Sequence, residues 1–119
     1  MAKKILVIDD EPDVLEVIKT RLETNGYEII TASDGDIGID KLKIAKPDLI
    51  VLDVMMPKMD GLAFVKKVKA DKAIPNIPII ILTAKEKMRD VFAIEGIKDY
   101  IVKPYIAMDL LKTVNKYLG

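Results

Sequence analysis

"KILVIDDE", residues Lys4 to Glu11, sets an unbroken apolar run directly against three consecutive acids. The run is rich in β-branched residues and lacks the alternation of a half-exposed strand, so it reads as a strand covered on both faces. Strands of that kind belong to parallel sheets sandwiched between helices. Adjacent carboxylates at the end of such a strand repel one another, and the more so as water is excluded. The fold therefore turns on what sheet this strand enters and what Asp9, Asp10 and Glu11 face.

Outward from this strand, buried runs alternate with amphipathic segments. "EPDVLEVIKTRLETNG" places Pro12 at a helix start, sets Val14, Leu15, Ile18 and Leu22 on one face, and stops at Asn25-Gly26. "YEIITA" is a second strand, and "SDGDIGIDKLKIAK" a helix interrupted by Gly38 and ended by Pro47. "DLIVLD" is a third strand, followed by the helix "DGLAFVKKVKAD" with Leu62, Val65 and Val68 inward. "IPIIILTA", "KEKMRDVFAIEG", "DYIVK" and "YIAMDLLKTVNKYL" add a strand, a short helix closed by Gly96, a strand and a last helix. In that last helix Leu110, Leu111, Val114 and Leu118 face inward. Five strand-helix units with short loops and right-handed crossovers predict a doubly wound α/β fold with a parallel sheet. Ligands in such sheets sit beyond the carboxyl ends of the strands.

Composition narrows the chemistry. The chain has 119 residues, which suits one domain over residues 1–119, and 50% hydrophobic with 32% charged residues is a globular balance. Nineteen basic and 19 acidic residues give no net charge, which weighs against direct binding of nucleic acid through bulk electrostatics. Cysteine and histidine are both absent, which excludes disulfides, thiolate chemistry, imidazole catalysis and histidine metal ligands. The N-terminus is unlike a signal peptide and the apolar runs are too short to span a bilayer, so a cytoplasmic protein with no membrane contact is expected.

The strand ends collect the polar groups. The first strand ends in Asp9 and Asp10, the third in Asp53, the fourth in Thr83 and the fifth in Lys103. Neighbouring strands would bring three carboxylates, a hydroxyl and an ammonium to one patch. Magnesium is a hard cation that takes a few carboxylates, keeps waters and shares a phosphate oxygen, so this set suits it. A carboxylate can attack phosphorus, and phosphoryl transfer asks mainly for positioning and charge neutralisation. Asp53 stands alone on a central strand and is the expected nucleophile, Asp9 and Asp10 form a pair suited to metal holding, and Thr83 can donate to a phosphoryl oxygen.

At this point the chain resembles the receiver domain of bacterial two-component response regulators. The carriers are "VIDDE", "DLIVLDVMMPKMDGL" with Asp53, Pro57 and Gly61, "LTA" with Thr83 and Ala84, and "DYIVKP" with Tyr100, Lys103 and Pro104. Taken singly each has a plain reading, a cap for Asp9-Asp10 or Thr83, a half-buried tyrosine, a surface lysine, but the four occur in the right order and element context. The resemblance implies a flavodoxin-like sheet of order 2-1-3-4-5 with five helices. It implies that Asp53 accepts a phosphoryl group from a histidine kinase or histidine phosphotransfer protein, and that Asp9, Asp10, Asp53 and the backbone carbonyl of Met55 hold Mg2+, with Mn2+ as a substitute. Thr83 and Lys103 would contact the phosphoryl group, Thr83 and Tyr100 would switch together, and the Lys103-Pro104 bond would be cis. The only catalysis implied is the domain's own phosphorylation and dephosphorylation. The output surface would be the fourth helix, fifth strand and fifth helix, read by a downstream partner or effector domain, and available to a homodimer.

Some positions depart from the family. Gly38 stands where alanine is frequent, which on propensity alone weakens the helix by up to ~1 kcal/mol. The Thr83 to Lys103 spacing is shorter than usual, and Ile97 replaces a small residue after Gly96. The run Lys66, Lys67 and Lys69 reads as a solvated helix face, and Asp60-Gly61 as a turn and cap. A receiver-like interaction module that works without phosphate is the runner-up. A phosphatase with an aspartyl nucleophile would want a second aspartate two residues on, where "IDDE" has Glu11, and no Gly-rich loop follows the first strand for a flavin or nucleotide.

Overall fold

The computed structural model describes residues 2–53, 61–83, 93–94, 96–97, 99–102 and 107–118, with backbone alone at 83, 102, 107 and 108. Five strands, β1 (Lys4–Ile8), β2 (Glu28–Ala32), β3 (Leu49–Leu52), β4 (Ile79–Thr83) and β5 (Asp99–Val102), form one sheet. Every pairing is parallel, as the alternation of elements predicts, and the order is β2-β1-β3-β4-β5, as the family resemblance implies. Helices α1 (Pro12–Thr24), α2 (Gly35–Ala45), α3 (Gly61–Ala70) and the C-terminal helix (Ala107–Leu118) complete the described elements. Of the helix expected between β4 and β5, Ala93 and Ile94 are helical and most of the remainder lies outside the described residues.

Strand geometry explains the layering. Successive side chains point to opposite faces. Leu6, Ile8, Ile50 and Leu52 enter one apolar layer with Ile39, Leu42, Phe64, Val65 and Val68 from α2 and α3. Ile5, Val7, Leu49 and Val51 enter the other, with Ile18 and Leu22 from α1 and Leu110 and Val114 from the C-terminal helix. Strands β1 and β3 are buried on both faces from Ile5 and Leu49 onward, whereas the edge strand β2 is mostly half-buried. The lysine run on α3 is exposed, as its solvated-face reading predicts.

Helix ends follow local chemistry. Pro12 occupies the first turn of α1, where its missing N–H costs nothing. At the other end Gly26 takes φ 92°, its N–H donates to the Glu23 carbonyl at 3.0 Å and that of Tyr27 to the Leu22 carbonyl at 3.3 Å. That pair of bonds is the Schellman closure, which needs the left-handed conformation that glycine adopts freely. Helix α2 opens on Asp34, whose side chain accepts from the Ile37 N–H at 2.9 Å, and closes on Lys46 in the left-handed region just before Pro47.

Gly38 has a reason that propensity hides. A Cβ there would lie 2.6 Å from Cδ1 and 3.2 Å from Cγ1 of Ile8, and 3.4 Å from Cε2 of Phe64. Helix α2 crosses the end of β1 so closely that Ile8 fills the volume a side chain at residue 38 would occupy. Alanine gains about 1 kcal/mol in helix propensity but overpacks a core with few voids, at a cost of roughly 1–3 kcal/mol.

At the opposite edge of the sheet the C-terminal helix is tied down by polar contacts. Asp99, the first residue of β5, accepts from Lys116 Nζ at 2.8 Å on one oxygen and from the Tyr117 hydroxyl on the other. The Tyr27 hydroxyl donates to Asn115. Burial first, and then the hydrogen bond and negative charge of Asp99, push the Tyr117 phenol up to about 12 from its ordinary 10.0.

Two outcomes are expected. In chemical denaturation Gly38→Ala loses about 1 kcal/mol of stability instead of gaining the propensity increment; a more stable variant would contradict the packing. For Tyr117 the folded state retains a proton that the unfolded chain releases, so its contribution is fully present below pH 10 and is lost as the pH rises to about 12. Absorbance titration of tyrosinate should lose its late phase in Tyr117→Phe, and the alkaline loss of stability should be shallower in that variant.

Candidate functional site

The site forms where chain direction across the sheet reverses. From β1 the chain crosses to β2 on one side, then returns past β1 to β3, so the crevice at the carboxyl ends of β1 and β3 is the topological switch point of the fold. Parallel register fixes what stands there. The Asp53 N–H donates to the Ile8 carbonyl at 2.9 Å, and the Asp9 N–H donates to the Ala32 carbonyl at 3.2 Å. The peptide between Ile8 and Asp9 is thus held on both sides, and the residues just beyond the two strands, Asp9 and Asp53, are neighbours.

Asp9, Asp10 and Asp53 each offer a carboxylate oxygen, and the three lie within 4.8 Å of one another. Asp9 and Asp53 are only 1% and 5% exposed, whereas Asp10 faces solvent. One oxygen of Asp9 accepts from the Glu11 N–H at 2.9 Å, which orients the carboxylate as the chain turns into α1. Glu11 itself caps that helix through its backbone carbonyl, which receives the Leu15 N–H at 3.1 Å, with no capping bond from its side chain. The third acid of the opening stretch is therefore an element of the turn, not of the cluster.

Two buried carboxylates about 5 Å apart repel by roughly 3 kcal/mol at an effective dielectric of about 20. Three hard oxygen donors in one open-sided cluster fit a small divalent cation such as Mg2+, which seeks carboxylates and retains part of its water. Asp9, Asp10 and Asp53 are the described residues that would hold it. The Met55 carbonyl, Lys103 and the Lys103-Pro104 bond lie outside the described residues, as do Pro57 and Asp60.

Thr83 ends β4 beside Val102 of β5 in register, which places its backbone at the same edge of the sheet. Tyr100 pairs with Ile81 and is 8% exposed, buried in the layer that also holds Ile8 and Phe64. One further acid stands at this edge without having been singled out from the sequence. Asp34, two residues beyond β2, is 5% exposed, and its bond to Ile37 assigns it to the cap of α2. Its signal was the "SDG" preceding a periodic run, a helix-start pattern and not a site pattern.

Comparisons with known proteins agree with this geometry. Residues 5–115 match the family described as response regulator receiver domain. The alkaline phosphatase synthesis transcriptional regulatory protein PhoP of Bacillus subtilis is 47% identical over 107 residues, covering 88% of this chain and 44% of the relative. The chain spans about half the length of the curated relatives it matches. Among solved structures, chemotaxis protein CheY4 of Vibrio cholerae superposes with a TM-score of 0.90 at 32% identity, over 98% of this chain and 99% of that one. TrrA of Thermotoga maritima, solved in complex with Mg2+ and BeF, gives a TM-score of 0.87 at 35% identity, over 97% and 98% of the two chains. Fold, acidic crevice and sequence relationship coincide over nearly the whole chain, which belongs to the response regulator receiver domain family.

Proposed function

We propose that Asp53 is the phosphoacceptor of this receiver domain and that a histidine kinase or a histidine phosphotransfer protein is the donor. The observation that carries the reading is the approach of three carboxylate oxygens within 4.8 Å at the switch point, with Asp53 buried on a central strand end. In the transfer an Asp53 oxygen forms the bond to phosphorus as the phosphorus–nitrogen bond of the donor phosphohistidine breaks and its electron pair returns to the imidazole. Hydrolysis reverses the state when water attacks phosphorus and the carboxylate leaves. Apart from these two steps on its own side chain, the domain turns over no substrate.

Asp9, Asp10, Asp53 and the Met55 carbonyl would hold Mg2+ or Mn2+. Bound there, the cation neutralises charge on the carboxylates and the entering phosphoryl oxygens. Asp9 is held by the Glu11 N–H, while Asp10 is open to solvent. Lys103 adds a positive charge and Thr83 a hydroxyl donor to the phosphoryl group.

The phosphoryl group brings about −1.5 to −2 charge to the crevice. Thr83 is drawn to it, Tyr100 turns further inward, and the surface around residues 85–118 changes for a downstream partner. Both states pre-exist, and differential affinity for phosphate sets their populations. The partner is an effector domain in the same chain or another protein, consistent with relatives of about twice the length that are named as transcriptional regulators. The setting we propose is cytoplasmic, and among the described residues no helix is long and apolar enough to cross a membrane.

Incubation with a small phosphodonor and Mg2+ should label the wild type and leave Asp53→Asn unlabelled. Mg2+-dependent labelling of the variant would move the acceptor elsewhere. Mg2+ at about 100 times its dissociation constant should raise stability by about 2.7 kcal/mol. Asp10→Ala, an exposed position whose truncation leaves the core intact, should remove most of that gain at the same concentration. An unchanged gain would take Asp10 out of the metal site.

A further inference from the structure

We propose that Ile8 and Gly38 are a size-matched pair of positioning residues that sets the spacing of the acidic cluster. This deepens the phosphoacceptor reading of Asp53 and rests on it. The three observations are contact, connectivity and constraint.

The contact is the Ile8 side chain in the place a Cβ of residue 38 would take, 2.6 Å from that position at Cδ1, with Phe64 closing the far side at 3.4 Å. The connectivity is through the backbone. Ile8 is the last residue of β1, its carbonyl accepts from the Asp53 N–H, and the same peptide continues to the Asp9 N–H bound to Ala32. A shift of Ile8 at its Cα is therefore a shift of the peptide that spaces Asp9 from Asp53.

The constraint is that α2 has little freedom to retreat. Its first turn is pinned by the buried Asp34 cap, Lys41 Nζ donates to the Thr31 carbonyl at 2.6 Å, and Ile39 and Leu42 sit in the core. Ile8 is itself 1% exposed and shares its apolar layer with Phe64 and Leu42, so its side chain has little free volume to retreat into. Pressure from a larger residue at 38 falls on the strand end, where the sheet ladder stops. Mg2+ tolerates little departure from octahedral geometry, so sub-ångström displacement of the carboxylates is felt in affinity. The glycine that weakens α2 on propensity thus gives Ile8 the room to hold the two buried acids in register.

A mutant cycle tests this with metal affinity read separately from stability. Wild type, Gly38→Ala, Ile8→Val and the double variant are titrated with Mg2+ by calorimetry, and their melting temperatures are measured without metal. Ile18→Val, in the opposite core layer, serves as the purely structural control. Gly38→Ala should weaken Mg2+ binding about tenfold, the range seen when groups that orient metal ligands are lost. Ile8→Val, which leaves a gap beside Gly38, should weaken it by less. The double variant, with volume exchanged across the contact, should return to within about twofold of wild type. In metal-free protein the amide resonances of Asp9 and Asp53 should move in Gly38→Ala and return in the double variant. Ile18→Val should lose melting temperature with no change in affinity.

Unchanged affinity in Gly38→Ala alongside a lower melting temperature would overturn the proposal, since the strain would then have gone into α2. A double variant no better than Gly38→Ala would overturn it too. Were Gly38→Ala unable to fold, Ile8→Val against the double variant gives the same rescue comparison. A wild type that fails to bind Mg2+ at all would overturn the phosphoacceptor reading first, and this proposal with it.

Discussion

The peptide between Ile8 and Asp9 carries the organisation of the molecule. Its carbonyl accepts from Asp53 and its N–H donates to the backbone of Ala32, so one peptide links β1 to both neighbours. Behind it along β1, from Ile5 onward, the residues are apolar, and ahead of it stand acids. Behind, Ile5 to Ile8 are each no more than 1% exposed. Ahead, Asp9 and Asp53 are almost as deeply buried, and each carries a carboxyl group. A sheet that simply minimised its energy would not end two adjacent central strands in carboxylates. The repulsion is tolerated because the strands are held by ladder bonds and by two apolar layers, neither of which depends on the acids. Carboxyl groups gathered this closely are the setting in which a bound cation changes the local electrostatics most.

The two ends of the sheet are built differently. Among the described residues, the carboxyl edge gathers the acids Asp9, Asp10 and Asp53. The amino edge gathers complementary groups, with Asp99 bonded by Lys116 and Tyr117 and the Tyr27 hydroxyl bonded to Asn115. Strand β5 is thus tied at its first residue to the C-terminal helix, while its second residue, Tyr100, is buried in the layer shared with α2 and α3.

Much of the frame was legible in the residues. The runs "KILVID", "DLIVLD" and "IPIIILTA" declared themselves as strands because burial on both faces removes polar residues from the pattern. Pro12 and Asn25-Gly26 marked the ends of α1 because a helix terminus has specific backbone needs that few residues meet. Gly38 shows the converse. Propensity counts a residue against its own helix, whereas the volume at Gly38 is filled by Ile8, thirty positions away. The period of α3 points Leu62, Val65 and Val68 inward, yet Phe64 is fully buried and Leu62 only partly so, because periodicity locates a face and not the depth of each residue on it.

What the amino-acid sequence determined by itself was the order of elements and the chemical type of each strand end. Local physics settles those: side-chain period, cap chemistry and the hydrophobic run are properties of contiguous residues. What only the tertiary structure decided was which ends meet, how closely, and with what exposure. Asp9 and Asp53 lie far apart along the chain and are brought together by parallel register across β1 and β3. Glu11, two residues from Asp9, turns away into α1 instead. Contact across a sheet is set by crossover direction and by layers packing on both faces, quantities that no single segment contains.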